Sequence, residues 1–174
     1  LNVGIGQGYF LATPMQLTLA TASLATAGKT YVPHLLHKSI DTKTGDTLPY
    51  LFTNNEFTTP YPDMNKLDIV HHAMWRVTNE NGVGTASNMK RIKGLEFAGK
   101  TGTAQVYNLD TGKSDKKILQ DHALFISYAP FDKPEVVVTV IVEHGGSGST
   151  TAAPIARNII DFYFNKNMRV SSND

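Results

Sequence analysis

The chain has 174 residues, 41% of them apolar and 18% charged, which suits one domain with a buried core and excludes wholesale disorder. Lys plus Arg is 16 and Asp plus Glu is 15, so the net charge of +1 lacks the basic excess of a nucleic-acid binder. The absence of cysteine excludes disulfide scaffolds, thiolate zinc sites and cysteine nucleophiles, and no apolar run reaches the ~18 residues that would span a membrane. The chain begins at Leu1 rather than methionine and reads as an excerpt of something longer.

Residues 1–12 are glycine-rich, with Gly4, Gly6 and Gly8 alternating. They lack dinucleotide-binding spacing and read as loop. A helix start follows: Thr13 can cap, Pro14 suits the first helical position and Gln16 completes a capping box. The run to Ala27 has no charged face, which predicts a buried helix, and Gly28 is its natural stop. Residues 30–36 suit a short strand, and residues 40–62, with Asp41, Gly45, Pro49, Asn54, Asn55, Pro60 and Pro62, suit turns and a small hairpin. A second helix is expected from about Asn65, where Leu67, Val70, Met74 and Val77 recur at helical spacing and Asn81, Gly82 and Gly84 end it.

Residues 95–107 look extended, and 108–121 form a polar, charged loop. Ala123–Phe131 and Val136–Val142 are strong strand signals, and the short link through Asp132, Lys133 and Pro134 makes them an antiparallel pair. Val136–Val142 is apolar on both faces, which predicts a central strand covered twice. A last helix from about Ala152 places Ile155, Ile159 and Phe162 on one face, with Ile160 and Tyr163 beside them. Residues 166–174 are polar and read as a disordered tail. Trp75, Phe162, Tyr163 and Phe164 are most simply core residues. No linker interrupts residues 1–174, which are treated as one unit.

Two motifs share one lysine. Gly94–Thr101 matches the phosphate-loop string, and Lys100-Thr101-Gly102-Thr103 contains the Lys-Thr-Gly core of penicillin-recognising serine enzymes. By average residue frequencies the first arises by chance in roughly one chain per hundred of this length and the second in roughly one in twenty. Rarity alone therefore favours a nucleotide site, but context reverses it. A phosphate loop leaves a buried strand and enters a helix. Here Met89-Lys90-Arg91-Ile92-Lys93 is too charged for the strand, and Gly102 with Val106 and Tyr107 disfavours the helix. On an edge strand, Lys100 brings an ammonium beside the Thr101 hydroxyl, and Thr103 shares a face with Thr101. Two hydroxyls and a cation on one face suit a carboxylate. Gly99 and Gly102 remove side chains where a substrate backbone approaches. The bland alternative is an ordinary polar edge strand.

His71 and His72 are adjacent on a helix and diverge, so they make a poor metal pair, and no cofactor is implied. His144-Gly145-Gly146 has no nucleophile elbow to serve as an oxyanion loop. His122 reads as structural.

Several segments together resemble the transpeptidase domain of class B penicillin-binding proteins: Gly4-Ile5-Gly6-Gln7-Gly8-Tyr9, Ala12-Thr13-Pro14-Met15-Gln16-Leu17, Ala27-Gly28, Val32-Pro33-His34-Leu35-Leu36, Gly84-Thr85-Ala86, Lys100–Val106, Asp121-His122-Ala123, Tyr128-Ala129-Pro130 and Glu143-His144-Gly145-Gly146. The likeness is strongest to the cell-elongation subfamily, penicillin-binding protein 2. It implies an α+β fold, an antiparallel sheet flanked by helices, as part of the serine β-lactamase-like transpeptidase fold. It implies a serine acyl-enzyme route to cross-linked peptidoglycan stem peptides, and acylation of that serine by β-lactam antibiotics. It implies a place on the periplasmic side of the bacterial inner membrane, beside a SEDS-family glycosyltransferase and rod-complex proteins. Lys100 would supply positive potential and help proton traffic. Thr101 and Thr103 would donate hydroxyl hydrogen bonds, Gly102 would admit the substrate, and the Thr103 N–H would form one oxyanion arm. The family's nucleophilic serine and its Ser-x-Asn triplet would precede Gly4. Ser87 with Lys90, Ser114 with Lys117, and Ser171-Ser172-Asn173 are accidental strings in the wrong places. The excerpt is therefore expected to be inactive alone, and to self-associate or pair with the remainder of its domain. A non-enzymatic interaction domain is the competing class.

Overall fold

The computed structural model describes residues 11–36, 38–48, 57–90, 92–105 and 120–171. The scaffold is a three-stranded antiparallel sheet of β5 (Ala98–Ala104), β6 (His122–Ala129) and β7 (Val136–Val142), in the order β5-β6-β7. Helix α1 (Pro14–Ala25) packs against β6 and β7, and α3 (Ala153–Ser171) packs against the same two strands. Helix α2 (Met64–Asn79) lies against β5. Two small antiparallel pairs complete the described part: β1 (Lys29–Thr30) with β4 (Phe57–Thr58), and the hairpin of β2 (Ser39–Ile40) with β3 (Thr47–Leu48). This is the expected mixed fold.

Local chemistry accounts for the helix boundaries. The Thr13 side chain accepts from Gln16 N while Gln16 Oε1 accepts from Thr13 N, and Pro14 needs no partner at the first helical position. The chain leaves α1 through Ala27 and Gly28, both at positive φ. A Cβ on Gly28 would run into the Thr59 carbonyl, so glycine is required twice over. α2 is capped by Asp63, whose carboxylate accepts from Lys66 N at 3.3 Å.

Several expectations are corrected. Strand β1 ends at Thr30, so residues 31–36 do not continue it. The extended segment 95–107 shortens to Ala98–Ala104, and residues 106–119, which include all but the last two residues of the expected charged loop, lie outside the described residues. Only Thr21 and Ala25 of α1 are fully buried, because the helix covers the sheet from one side alone. In α2, Leu67 and Met74 are buried but Val70 is exposed. β6 takes the central place, and β7 is the outer strand of the three among the described residues, although α1 and α3 do cover both its faces.

The last helix turns a different face inward than its large side chains suggest. Ala152, Ala153, Ala156 and Ile160 are fully buried, whereas Ile155, Ile159 and Phe162 are exposed, Phe162 at 69%. Alanines let the helix axis approach the sheet closely, so dispersion contacts with Ala123, Phe125 and Ala129 favour the small-residue stripe. A single π turn, Gly148–Ala152, precedes α3, and the backbone stays helical to Ser171, past the start of the expected tail at 166.

Below the other face of the sheet, Tyr128 is fully buried with Ala25, Met74 and Ala98, and its hydroxyl has no hydrogen-bond partner among the described residues. Burial pushes its pKa up to about 12. A buried hydroxyl without a partner is a cost that phenylalanine would not carry. Tyr128→Phe is expected to stabilise the protein by about 1 kcal/mol. Because the folded pKa lies above the ordinary value of 10, the unfolded state ionises first. Stability is thus complete below pH ~10 and is lost as pH rises toward 12, and Tyr128→Phe should remove that part of the alkaline slope. Denaturant melts at neutral and alkaline pH check both; a destabilised variant would show that the hydroxyl is satisfied in solution.

Candidate active-site strand

β5 is the edge strand of the sheet: it pairs with β6, and among the described residues no strand pairs with its other edge. Lys100 stands opposite Ile126, Thr101 opposite Phe125, Gly102 opposite Leu124 and Thr103 opposite Ala123. Backbone groups of an antiparallel edge strand alternate between the partner and the outside. The Phe97 carbonyl points outward, where it accepts from Thr78 Oγ1 and from Asn79 Nδ2. By alternation the N–H and C=O groups of Gly99, Thr101 and Thr103 also point outward, while those of Lys100 and Gly102 pair with β6. The Thr103 N–H therefore lies on the outer edge of the strand, away from β6.

The side chains are arranged differently from the sequence expectation. Thr101 and Thr103 do share a face, the one on which Phe125 of β6 meets α3 and the π turn approaches β5. Lys100 falls on the opposite face, because strand side chains alternate. Its Nζ bends around the edge and donates to the Thr101 carbonyl at 2.7 Å. Cation and hydroxyls thus converge at the edge of the strand and not on one face.

The loop after α2 reaches the same place. Ala86 N donates to Val77 O at 3.0 Å, and a Cβ on Gly84 would overlap the Arg76 and Val77 carbonyls, so this loop is pinned to the end of α2. It holds the Thr85 hydroxyl 3.0 Å from that of Thr101. Gly84-Thr85-Ala86 is visible in the sequence as a string, but its contact with Thr101 is not. Gly99 is needed because a Cβ there would lie 2.5 Å from the Phe125 ring and 2.8 Å from Ile126 O.

Other singled-out residues go elsewhere. Gly94, at φ +74, sits in a turn bridged by Ile92 and Leu95, and the chain then enters strand β5; Lys100 and Thr101 lie on that strand and not at a helix N-terminus, so Gly94–Thr101 is not a phosphate loop. Ser87 is buried and donates to Gly84 O at 2.8 Å, whereas Ser114, Lys117, Ser172 and Asn173 lie outside the described residues. His71 Nε2 donates to Leu24 O at 2.8 Å and His72 stacks on Trp75, so the two rings diverge. His122 Nδ1 accepts from His144 N at 2.9 Å, tying the start of β6 to the turn after β7. Cavities of about 320 and 420 Å³ flank the 92–95 turn, and residues 100–103 line neither. No group of three metal-ligating side chains occurs among the described residues.

Residues 1–161 match the model of the penicillin binding protein transpeptidase domain. The chain belongs to this family. One relative is the peptidoglycan D,D-transpeptidase MrdA of Haemophilus influenzae, 41% identical over 97% of this chain and 26% of that protein. Among solved structures, Pseudomonas aeruginosa PBP2 in complex with WCK 5153 is 35% identical, with a TM-score of 0.68 over 92% of this chain and 32% of that one. The complex between PBP2 and MreC from Helicobacter pylori matches at 30% identity and a TM-score of 0.70, over 94% of this chain and 27% of that one. The chain spans about a quarter of the length of the curated relatives it matches. In this chain the Lys-Thr-Gly-Thr segment lies on β5, whose outer edge carries the Thr101 and Thr103 backbone groups.

Proposed function

We propose that the chain is part of a peptidoglycan D,D-transpeptidase, with β5 as the strand along which substrate lies. The observation that carries this reading is the edge itself: Thr101 and Thr103 turn their backbone groups outward, and Lys100 and Thr85 gather around Thr101. A serine from outside these 174 residues attacks the penultimate D-alanine carbonyl of a stem peptide. The Thr103 N–H donates to the oxygen that becomes negative, and the Thr101 and Thr103 hydroxyls with Lys100 hold the terminal carboxylate. The amide bond breaks and D-alanine leaves, carrying the proton given up by serine. An amine from a second stem peptide then attacks the acyl-enzyme, forms the new amide and returns the proton to serine. β-Lactams acylate the same serine. No cofactor is needed.

No described helix is long and apolar enough to cross a membrane. The reading places the site on the periplasmic side of the inner membrane, with the anchor elsewhere in the protein. The complex of the Helicobacter pylori relative with MreC supports a rod-complex scaffold as partner. A SEDS-family glycosyltransferase is the proposed polymerising partner.

The test is covalent labelling. The 174-residue chain incubated with a fluorescent penicillin is expected to give no adduct stable to boiling, because among the described residues no serine at the head of a helix is followed three residues later by lysine. The full-length protein is expected to give one adduct per molecule. A stoichiometric adduct on the short chain would place the nucleophile inside it. No adduct on the full-length protein would mean that the fold is kept without the chemistry, as in an interaction domain.

A further inference from the structure

The π turn before α3 touches the site strand through a glycine. Gly148 is buried, and a Cβ on it would overlap the Leu124 carbonyl and lie 2.5 Å from Gly102 O and 3.1 Å from Gly102 N. Real Cβ atoms do not approach backbone this closely, so either the turn or the strand must move if one is added. The turn is itself anchored. Gly146 N donates to Asp121 O at 2.8 Å, Thr151 Oγ1 donates to Gly145 O at 2.8 Å, and Ala152 and Ala153 are fully buried behind it. β5 is the softer side, because β6 is its one strand neighbour among the described residues.

We infer that Gly148 is a positioning residue: seated on the Gly102–Leu124 backbone, it sets the height of β5 and so the aim of the Thr103 N–H. This rests on the transpeptidase reading above. A rival purely structural role can be separated, because the preceding turn, after β7, contains a second crowded glycine. A Cβ on Gly145 would lie 2.8 Å from Val142 Cγ1 and 2.9 Å from Val142 O, against β7 and away from β5. Gly145→Ala therefore strains the turn without pressing on the site strand.

The experiment uses the full-length protein and a fluorescent penicillin, following both the acylation rate and the final stoichiometry, with thermal melts of each variant. Gly148→Ala is expected to acylate about 10- to 100-fold more slowly, the cost of a donor misplaced by roughly 1 Å, while still reaching one label per molecule. Gly145→Ala is expected to lower the melting temperature and acylate at the unaltered rate. An unaltered rate in Gly148→Ala, or equal slowing in both variants, would overturn the assignment. So would a Gly148→Ala protein with no cooperative melt, which would mean a folding role. Failure of the unaltered protein to label would remove the transpeptidase reading, and this inference with it.

Discussion

At micromolar concentration the 174-residue chain is expected to scatter light as dimers or larger species. β7 has β6 on one side, and no described strand lies on the other. Its outer edge presents a row of backbone donors and acceptors flanked by valine and isoleucine, a template for another strand. Ile155, Ile159 and Phe162 of α3 add an exposed apolar stripe. The charges of Asp132 and Lys133 and the ring of Pro134 blunt only the β6–β7 end. Pairing through β7 should slow amide exchange over Val136–Val142 as concentration rises, and the remainder of the protein, supplied as a second chain, should compete with self-pairing. A monomer that protects the outward amides of β7 at every concentration would show that the edge is closed from within.

In the full-length protein, Lys100→Ala is expected to slow acylation by penicillin about 10²- to 10³-fold, the scale of removing one preorganised charge or donor from an acyl-transfer site. Lys100 is exposed on a strand edge, makes no ion pair in the described structure and packs no core, so the melting temperature should stay within a degree or two of the parent's. The pairing of a large kinetic loss with an unmoved melt is the signature to look for. Equal rates would remove Lys100 from the site, and a collapsed melt would make it a folding residue. Lys100→Arg should rescue only in part, since a planar guanidinium cannot reproduce the bend of the ammonium to Thr101 O.

What could be read in advance was what local chemistry decides. Thr13, Pro14 and Gln16 mark the start of α1 because a capping box is complete within four residues. The β6–β7 pair follows from two apolar runs and a link too short for any other connection. The face of α3 was not legible, because large apolar residues form one stripe and alanines another, and only the closeness of the sheet decides which is buried. Adjacency in the sequence groups Lys100 with the threonines, whereas strand alternation sends it to the other face and its long stem brings the ammonium back to the edge. The contacts of Thr85 with Thr101 and of Gly148 with Gly102 join residues far apart in the chain, and neither leaves a periodic signal.

The tightness around β5 limits how this strand can vary over evolutionary time. Ala98 is fully buried, Gly99 has the Phe125 ring against it, and Gly102 lies between Leu124 Cβ and Gly148. Side-chain changes are left to Lys100, Thr101, Thr103 and Ala104, and the first three are the residues proposed to hold the substrate. Mutation can therefore alter what the strand presents far more readily than where it lies. Drift in its position has to arise in its neighbours, on β6 or in the π turn, so variants with a shifted reactivity profile but an unchanged Lys-Thr-Gly-Thr segment should map to those two elements.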